Sequence, residues 1–218
     1  MKLNEFSIVD GSFVTEIFGQ QRFGYGHSGY ADIADAKEIF DHEGYYKGMV
    51  LRFYEYGTGE VYEPFVLKRN ISYSDVLYHD GLFYFLQADF IENVVRLIAY
   101  YPNQFTKVIT TLNMGDIELK RLILIGGNQV NVVHHGDTFI SYYPNQFELN
   151  LGDDDTVVMI DEDKVYINRW IEEENELEDG SIDYNWHHKL LIKHLNGELL
   201  SEEIARLQQN KDGSWWIS

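Results

Sequence analysis

The sequence has no cysteine, only three prolines among its 218 residues, and no long apolar run. Without cysteine the chain has no disulfide, no thiolate nucleophile and no cysteine-ligated metal site. The best apolar candidate, Val94–Tyr101, contains Arg96 and is much shorter than the roughly 18 residues that a membrane helix needs. Glu5 lies where a secretory signal would be apolar. We therefore expect a cytoplasmic protein that does not bind membranes.

Basic residues are also scarce, because 17 lysines and arginines stand against 36 acids and give a formal net charge of −19. Binding of nucleic acid needs clustered basic residues that neutralise phosphates, so we expect no nucleic-acid partner. The acids are concentrated in residues 151–183, where Lys164 and Arg169 are the basic residues. A basic protein that binds residues 151–183 is therefore one candidate partner.

The same acidic segment has an internal pattern. Apolar stretches at Val157–Ile160 and Val165–Ile171 predict two strands on either side of an acidic turn. The run of acids at Glu172–Asp179 is typical of a solvated loop between strands. Calcium could bind the carboxylates of Asp153–Asp155 and Asp161–Asp163, but their spacing is not that of an EF-hand. We assign no metal ligands, and the sequence alone leaves calcium binding undecided.

Aromatic residues, in contrast, are abundant at 15% of the chain. The hexapeptide Tyr-Tyr-Pro-Asn-Gln-Phe occurs at residues 100–105 and again, letter for letter, at residues 142–147. Further identities at the same spacing predict an internal 42-residue repeat, at about 82–105 and 124–147. Repeats of about this length are typical of propeller blades and of some helical arrays.

The local pattern favours blades over helices. Segments rich in Val, Ile, Tyr and Phe alternate with period two, as strands do. Glycine-containing turn signals separate them, at Gly57-Thr58-Gly59, Asp80-Gly81, Gly126-Gly127-Asn128, His135-Gly136-Asp137, Asn196-Gly197 and Asp212-Gly213. We predict one all-β domain over residues 1–218, an antiparallel meander that is propeller-like with about four to five blades. A β-sandwich or a barrel is the alternative.

One or two short helices interrupt this pattern. Apolar residues at helical spacing predict a helix over Asp32–Phe40, with Gly44 as its stop. Ser201 could cap a second helix that reaches Leu207. The terminal segment Ser214–Ile217 is predicted to be a strand that could complete a blade with the N-terminal strands.

Part of the chain resembles a known repeat. The apolar run at residues 122–125, the double glycine Gly126-Gly127 and the second hexapeptide copy at residues 142–147 resemble one blade of the kelch-type β-propellers. The upstream copy has Tyr84 and Phe85 where the double glycine stands. The resemblance implies a propeller. Kelch propellers are mostly interaction scaffolds and include some enzymes, so the resemblance does not choose between these functions.

A glycine-rich motif and two histidine pairs are the other candidate sites. Residues 24–29 have the Gly-x-Gly-x-x-Gly spacing of a dinucleotide site, but polar residues precede them where an apolar parallel strand is needed. We therefore expect a flexible loop there and no cofactor. His134-His135 and His187-His188 are neighbours in strands, so each pair points to opposite faces and cannot easily place both rings on one metal ion. One histidine from each pair, together with a carboxylate, could still bind a metal ion.

The repeated hexapeptide has two interpretations. In the favoured one its rings pack a duplicated corner between sheets. In the other, Tyr100, Tyr101, Tyr142 and Tyr143 are exposed platforms that bind a ligand. We expect a non-enzymatic binding or interaction module of the propeller type, with an unknown protein or small-molecule ligand. The alternative is a hydrolase acting on a carbohydrate or phosphate ester at the ring centre, for which the sequence identifies no catalytic residue.

Overall fold

The computed structural model describes residues 3–176 and 182–218, without the side chains of residues 175 and 176. The strands pair antiparallel, and contacts between residues divide the chain into two compact units. The first unit contains residues 1–124 and 211–213, and the second contains residues 125–210 and 214–218. The mostly β, antiparallel fold class is confirmed. The propeller, its number of blades and the single domain stay predictions.

The first unit begins with a four-stranded sheet in chain order, made of β1 (Thr15–Glu16), β2 (Phe23–His27), β3 (Leu51–Glu55) and β4 (Val61–Tyr62). Helix α1 (Ile33–Glu43) lies between β2 and β3 in the sequence. The Asp32 side chain accepts a hydrogen bond from the backbone N–H of Asp35 and caps the helix. Gly44 ends it with a left-handed φ of 77°. The prediction of a helix between Asp32 and Gly44 is confirmed.

A second sheet of the first unit contains β5 (Ile71–Tyr73), β6 (Leu77–His79), β7 (Leu82–Asp89), β8 (Val94–Tyr101) and β9 (Phe105–Asn113). Phe53, Phe83, Phe85 and Tyr100 lie between the two sheets, and we call these four residues the aromatic core. Their exposed fractions are 4% or less. The ring of Phe53 lies 4.9 Å from that of Tyr100 and 5.0 Å from that of Phe83. Burial of these rings is a main source of stability in this unit.

Two more four-stranded sheets and one strand pair follow a short 3₁₀ turn at Met114–Asp116. The third sheet is made of β10 (Leu122–Ile125), β11 (Asn131–His135), β12 (Thr138–Tyr143) and β13 (Phe147–Asn150). The fourth is made of β14 (Asp155–Asp161), β15 (Lys164–Glu176), β16 (Ile182–His194) and β17 (Leu199–Ile204). The final pair is β18 (Leu207–Gln209) and β19 (Trp215–Ile217). Apolar residues of the third and fourth sheets form one core cluster in the second unit.

The C-terminal part corrects one prediction and refines another. The prediction of a second helix from Ser201 to Leu207 is wrong, because Ser201–Ile204 belong to β17, which pairs with β16, and Leu207 begins β18. A capping serine is a weak signal there, because the neighbouring strand supplies backbone hydrogen bonds and Lys189 binds Glu202 across the pair at 2.7 Å. Of the predicted strand Ser214–Ile217, residues Trp215–Ile217 form β19, which pairs with β18.

The acidic segment is more regular than the sequence predicts. The strands expected at Val157–Ile160 and Val165–Ile171 are confirmed within β14 and β15. The prediction of a solvated loop at Glu172–Asp179 is wrong for its first five residues, because Glu172–Glu176 continue β15 and pair with β16. The rest of that predicted loop lies outside the described residues. In the part of the chain that the structure describes, no helix is long and apolar enough to cross a membrane.

The two hexapeptide copies both lie where one antiparallel strand turns into the next, β8 into β9 and β12 into β13. Their turns differ in register, since Tyr101 pairs with Phe105 in the first copy whereas Ser141 pairs with Phe147 in the second. Upstream, Gln87 lies within β7, but its counterpart Gln129 lies in the connection before β11. The structural likeness is therefore limited to one strand and the place of the turn after it, and a blade-sized repeat stays a prediction.

Candidate functional site

The ends of β15 and β16 extend beyond the strands on either side of them. β14 pairs with β15 as far as Arg169, and β17 pairs with β16 as far as Lys189. Beyond these residues Trp170–Glu176 and Ile182–His188 pair with each other, and no third strand of the described chain pairs with either. We call these two segments the ribbon. At the root, the N–H of Trp170 donates to the carbonyl of Asp154 and the carbonyl of His188 accepts from the N–H of Ala205. Beyond this first pair, the two outer edges carry backbone groups that further strands could bind.

A buried ion pair fixes the root of the ribbon. Arg169 on β15 donates to Asp155 on β14 through Nε at 2.6 Å and through Nη2 at 2.9 Å. The Asp155 side chain is fully buried and also accepts from the backbone N–H of Gly152 at 2.9 Å. Burial alone would raise the pKa of Asp155, but the hydrogen bonds and the charge of Arg169 outweigh it and lower this pKa. Asp155 is therefore ionised, and the pair holds the two strands in register.

A second polar contact lies next to this pair. The side-chain amide of Asn168 donates to the carbonyl of Leu207 at 2.8 Å and accepts from the N–H of Leu207 at 2.9 Å. Asn168 is buried, so these two hydrogen bonds satisfy polar groups that water does not reach. They connect β15 to β18 and support the root of the ribbon from a second side.

One face of the ribbon combines aromatic and acidic side chains. Directly paired residues of an antiparallel ribbon share a face, and successive residues alternate between faces. The pairing therefore places seven described side chains on one face, which we call the aromatic–acidic face: Trp170, Glu172, Glu174, Ile182, Tyr184, Trp186 and His188. The rings of Trp170 and Trp186 stack at 5.0 Å with an interplanar angle of 15°, and His188 meets Trp170 edge-on. Trp186 is nevertheless 62% exposed and Tyr184 is 56% exposed.

The charge of the ribbon has one sign. The ribbon includes five acids and no lysine or arginine; the acids are Glu172, Glu173, Glu174, Glu176 and Asp183. Partial burial lowers the pKa of His188, and the positive charge of Arg206 lowers it further. His188 is therefore neutral at pH 7 and does not offset the acids. The aromatic–acidic face thus presents flat apolar rings within a negative surface.

The four tyrosines of the predicted ligand platform lie in both units. Tyr100 belongs to the aromatic core, and its buried ring has no face towards solvent. The hydroxyl of Tyr101 accepts from Nη1 of Arg22 at 3.0 Å, and its ring stacks on Phe83. Tyr142 and Tyr143 lie partly buried on β12 in the second unit. The packing of Tyr100 and Tyr101 is what a structural corner requires, and a ligand role for these tyrosines stays a prediction.

The glycine-rich motif lies on a central strand. Gly24 and Gly26 are within β2, which pairs with β1 and β3, so the prediction of a flexible loop is wrong. A side chain at Gly26 would clash with the carbonyl oxygen of Phe13, and a Cβ at Gly24 would lie 2.5 Å from the hydroxyl of Tyr56. The glycines are present because neighbouring backbone and side chains cross the strand closely. The antiparallel pairing is also not that of a dinucleotide site.

The predicted histidine and carboxylate positions form no metal cluster in residues 3–176 and 182–218, where no three such side chains are arranged to hold an ion. Nε2 of His135 accepts a hydrogen bond from the N–H of Val157 at 3.0 Å. Asp155, one of the acids considered for calcium, binds Arg169. Two of the side chains considered as metal ligands, those of His135 and Asp155, thus bind other groups of the protein.

This chain matches no protein-family model, no curated protein and no solved structure. The resemblance of residues 122–147 to a kelch-type blade therefore depends on the sequence motif alone. Because a fold does not by itself define a function, the function of this chain has to be inferred from the geometry and chemistry of its own surfaces.

Proposed function

We propose that this chain is a non-enzymatic interaction module and that its ribbon binds a basic, extended segment of another protein. The observation that carries the proposal is the aromatic–acidic face, where stacked and exposed tryptophans lie in a ribbon without any basic residue. Surfaces of monomeric proteins rarely leave large aromatic rings clustered and exposed without an interaction role.

The chemistry of this face favours lysine and arginine side chains. A guanidinium or ammonium group over a tryptophan ring gains about 0.5–1 kcal/mol at an exposed site. Glu172 is directly opposite Trp186, and Glu174 is directly opposite Tyr184, so each ring has a carboxylate beside it. A basic side chain can therefore contact a ring and a carboxylate at once, which an acidic or neutral peptide cannot do.

The open edges of the ribbon favour an extended partner. A peptide in β conformation can add to an exposed edge through backbone hydrogen bonds, while its alternate side chains reach one face. The negative charge of the ribbon opposes pairing with a second copy of itself, because like charges would lie next to each other. A basic peptide would not be repelled by the negative ribbon. The charge of the ribbon therefore favours basic partners, and backbone hydrogen bonds at the ribbon edge add to the affinity.

Fluorescence anisotropy with a labelled peptide of alternating lysine and valine tests the proposal on the full chain. We expect binding that weakens as salt rises, and Trp186→Ala should weaken it by about tenfold or more. Trp216→Ala is the matched control, since Trp216 is 60% exposed but lies on β19. No binding of the basic peptide, equal binding of an alternating glutamate–valine peptide, or equal losses for the two tryptophan variants would refute the proposal.

A carboxylate variant separates specific contacts from general attraction. The double change Glu172→Gln and Glu174→Gln removes two charges from the aromatic–acidic face. The double change Glu38→Gln and Glu43→Gln removes two charges from helix α1 and is the matched control. We expect the first pair to weaken peptide binding several times more than the second. Equal effects would show that net charge alone attracts the peptide.

A further inference from the structure

The first unit contains two adjoining hollows that the ribbon proposal does not use. Their volumes are about 560 Å³ and 360 Å³, within the range of small-molecule sites. Both are lined by His27, Gly29, Tyr30 and Asp75. The end of β2 and the connection after β5 thus form a shared wall, and the residues on this wall determine which ligand fits.

Two exposed aromatic rings border the smaller hollow. Tyr30 is fully exposed and Phe13 is 84% exposed. Neither ring contacts another aromatic ring in the described part of the chain, so packing does not account for them. They lie on the segments immediately before β1 and after β2. Each ring offers a flat apolar surface to a molecule in the hollow.

The wall between the hollows is polar and already ordered. The hydroxyl of Tyr25 donates to Oδ1 of Asp75 at 2.9 Å. Nε2 of His27 lies 3.1 Å from the carbonyl oxygen of Ser74, and because a carbonyl only accepts, Nε2 carries the proton. Burial lowers the pKa of His27, so the ring is neutral and its Nδ1 is an acceptor. Oδ2 of Asp75 accepts no hydrogen bond from any described residue.

The backbone holds this arrangement in place. Gly26 has no side chain, and this allows the chain at Phe13 to lie directly against β2. The hydroxyl of Ser28 accepts from the N–H of Val50 at 2.8 Å and ties the end of β2 to the start of β3. The rings therefore extend from segments attached to a sheet, and a ligand would not need to order them from an unfolded state.

The charges of the hollows decide the ligand class. The smaller hollow is lined by the carboxylate of Asp75 and by that of Asp10, which pairs with Arg52, and no lysine or arginine lines it, whereas Arg121 lines the larger hollow. The smaller hollow therefore disfavours phosphates and other anions. Its free acceptors, Asp75 Oδ2 and His27 Nδ1, suit a ligand that donates hydroxyl hydrogens. Its rings suit a ligand with apolar C–H faces. We infer that these hollows form a binding site for a neutral carbohydrate, with Tyr30 and Phe13 as stacking rings and Asp75 and His27 as hydroxyl acceptors.

Isothermal titration calorimetry of the full chain with cellotetraose, maltotetraose, laminaritetraose, xylotetraose, mannotetraose and chitotetraose tests this inference. We expect at least one of these sugars to bind at millimolar concentration or tighter. Tyr30→Ala and Phe13→Ala should each weaken that binding by about tenfold, because each removes one stacking surface. Tyr45→Ala is the matched control, since Tyr45 is an exposed tyrosine that lines neither hollow.

Two further measurements make the result decisive. Asp75→Asn preserves the shape of the side chain but removes its charge and half of its acceptors, so it should also weaken sugar binding. Trp186→Ala should leave sugar binding unchanged, which separates this site from the ribbon. No heat with any of the six sugars, tighter binding of inorganic phosphate than of any sugar, or binding that Tyr30→Ala and Phe13→Ala leave intact would overturn the inference.

Discussion

The aromatic core of the first unit and the aromatic–acidic face of the second use the same kinds of residue in opposite environments. The rings of the core are at most 4% exposed, whereas Trp170, Tyr184 and Trp186 are between 37% and 62% exposed. The difference in exposure arises because neighbouring strands and a packed face cover the core rings but not the rings of the ribbon. β7 and β8 have strands on both sides and a packed face, but the ribbon has two strands and open edges.

Because of this difference in exposure, we expect the core rings to contribute to folding stability and the ribbon rings to contribute to partner binding. A buried ring contributes through the water it excludes and the contacts it fills, so its loss leaves a cavity. A ring on a two-stranded ribbon excludes little water in the free protein and keeps most of its surface for a partner. The comparison therefore predicts large folding effects in the aromatic core, intermediate effects at the root of the ribbon, and effects mainly on binding along its face.

The largest effect is expected in the aromatic core. Phe85→Ala should lower the free energy of unfolding by about 3–5 kcal/mol, because it leaves a cavity among rings that cannot close around it. Urea unfolding followed by near-ultraviolet circular dichroism of the tyrosines measures this loss, because all four tryptophans belong to the second unit. Phe85→Leu retains most of the apolar volume and should cost less than half as much. A loss below about 1 kcal/mol for Phe85→Ala would contradict the packing of Phe85 in the aromatic core.

The next effect is expected at the root of the ribbon. Asp155→Ala leaves Arg169 without its partner and should lower the free energy of unfolding by about 2–3 kcal/mol, since the Arg169 side chain is 33% exposed and partly hydrated. Asp154→Ala changes an exposed neighbour and is the matched control. If the two variants unfold at the same urea concentration, the ion pair does not stabilise the root.

The same carboxylate makes stability depend on pH in a defined direction. The pKa of Asp155 is lower in the folded chain, so its contribution is present above the unfolded pKa of about 3.9 and is lost as pH falls through the folded pKa. The difference in unfolding free energy between the native chain and Asp155→Asn should therefore be constant near neutral pH and shrink below about pH 4. A difference that stays constant down to the folded pKa or grows on acidification would contradict this assignment.

Much of the fold follows from local signals. Asp32 and Gly44 bound helix α1 as capping chemistry predicts. Asp80-Gly81 forms the turn between β6 and β7 with positive φ at both residues, as a two-residue hairpin connection requires. Asn196-Gly197 lies in the turn between β16 and β17. Such turns depend on a few adjacent residues, and this is why the sequence alone predicts them.

The candidate site is less accessible to sequence reasoning. The charge of Glu172–Glu174 predicts a solvated loop. These residues form a strand because they pair with β16, and this pairing is not visible in the segment's own sequence. The dipeptide Asp179-Gly180 is a hairpin signal that could have predicted this pairing. The prediction of a loop at Gly24 and Gly26 is wrong for a similar reason, since the residues that lie against them, such as Phe13 and Tyr56, are known only from the fold.

The smallest effect on folding is expected where the effect on binding is largest. Trp186→Ala removes the stack on Trp170 and should lower the free energy of unfolding by less than about 1 kcal/mol, because an exposed pair excludes little water. The same variant should weaken binding of the basic peptide by about tenfold or more. Urea unfolding and anisotropy on one preparation measure both quantities. A folding loss as large as that of Phe85→Ala would mean that Trp186 serves stability, and the distinction between the aromatic core and the ribbon would fail.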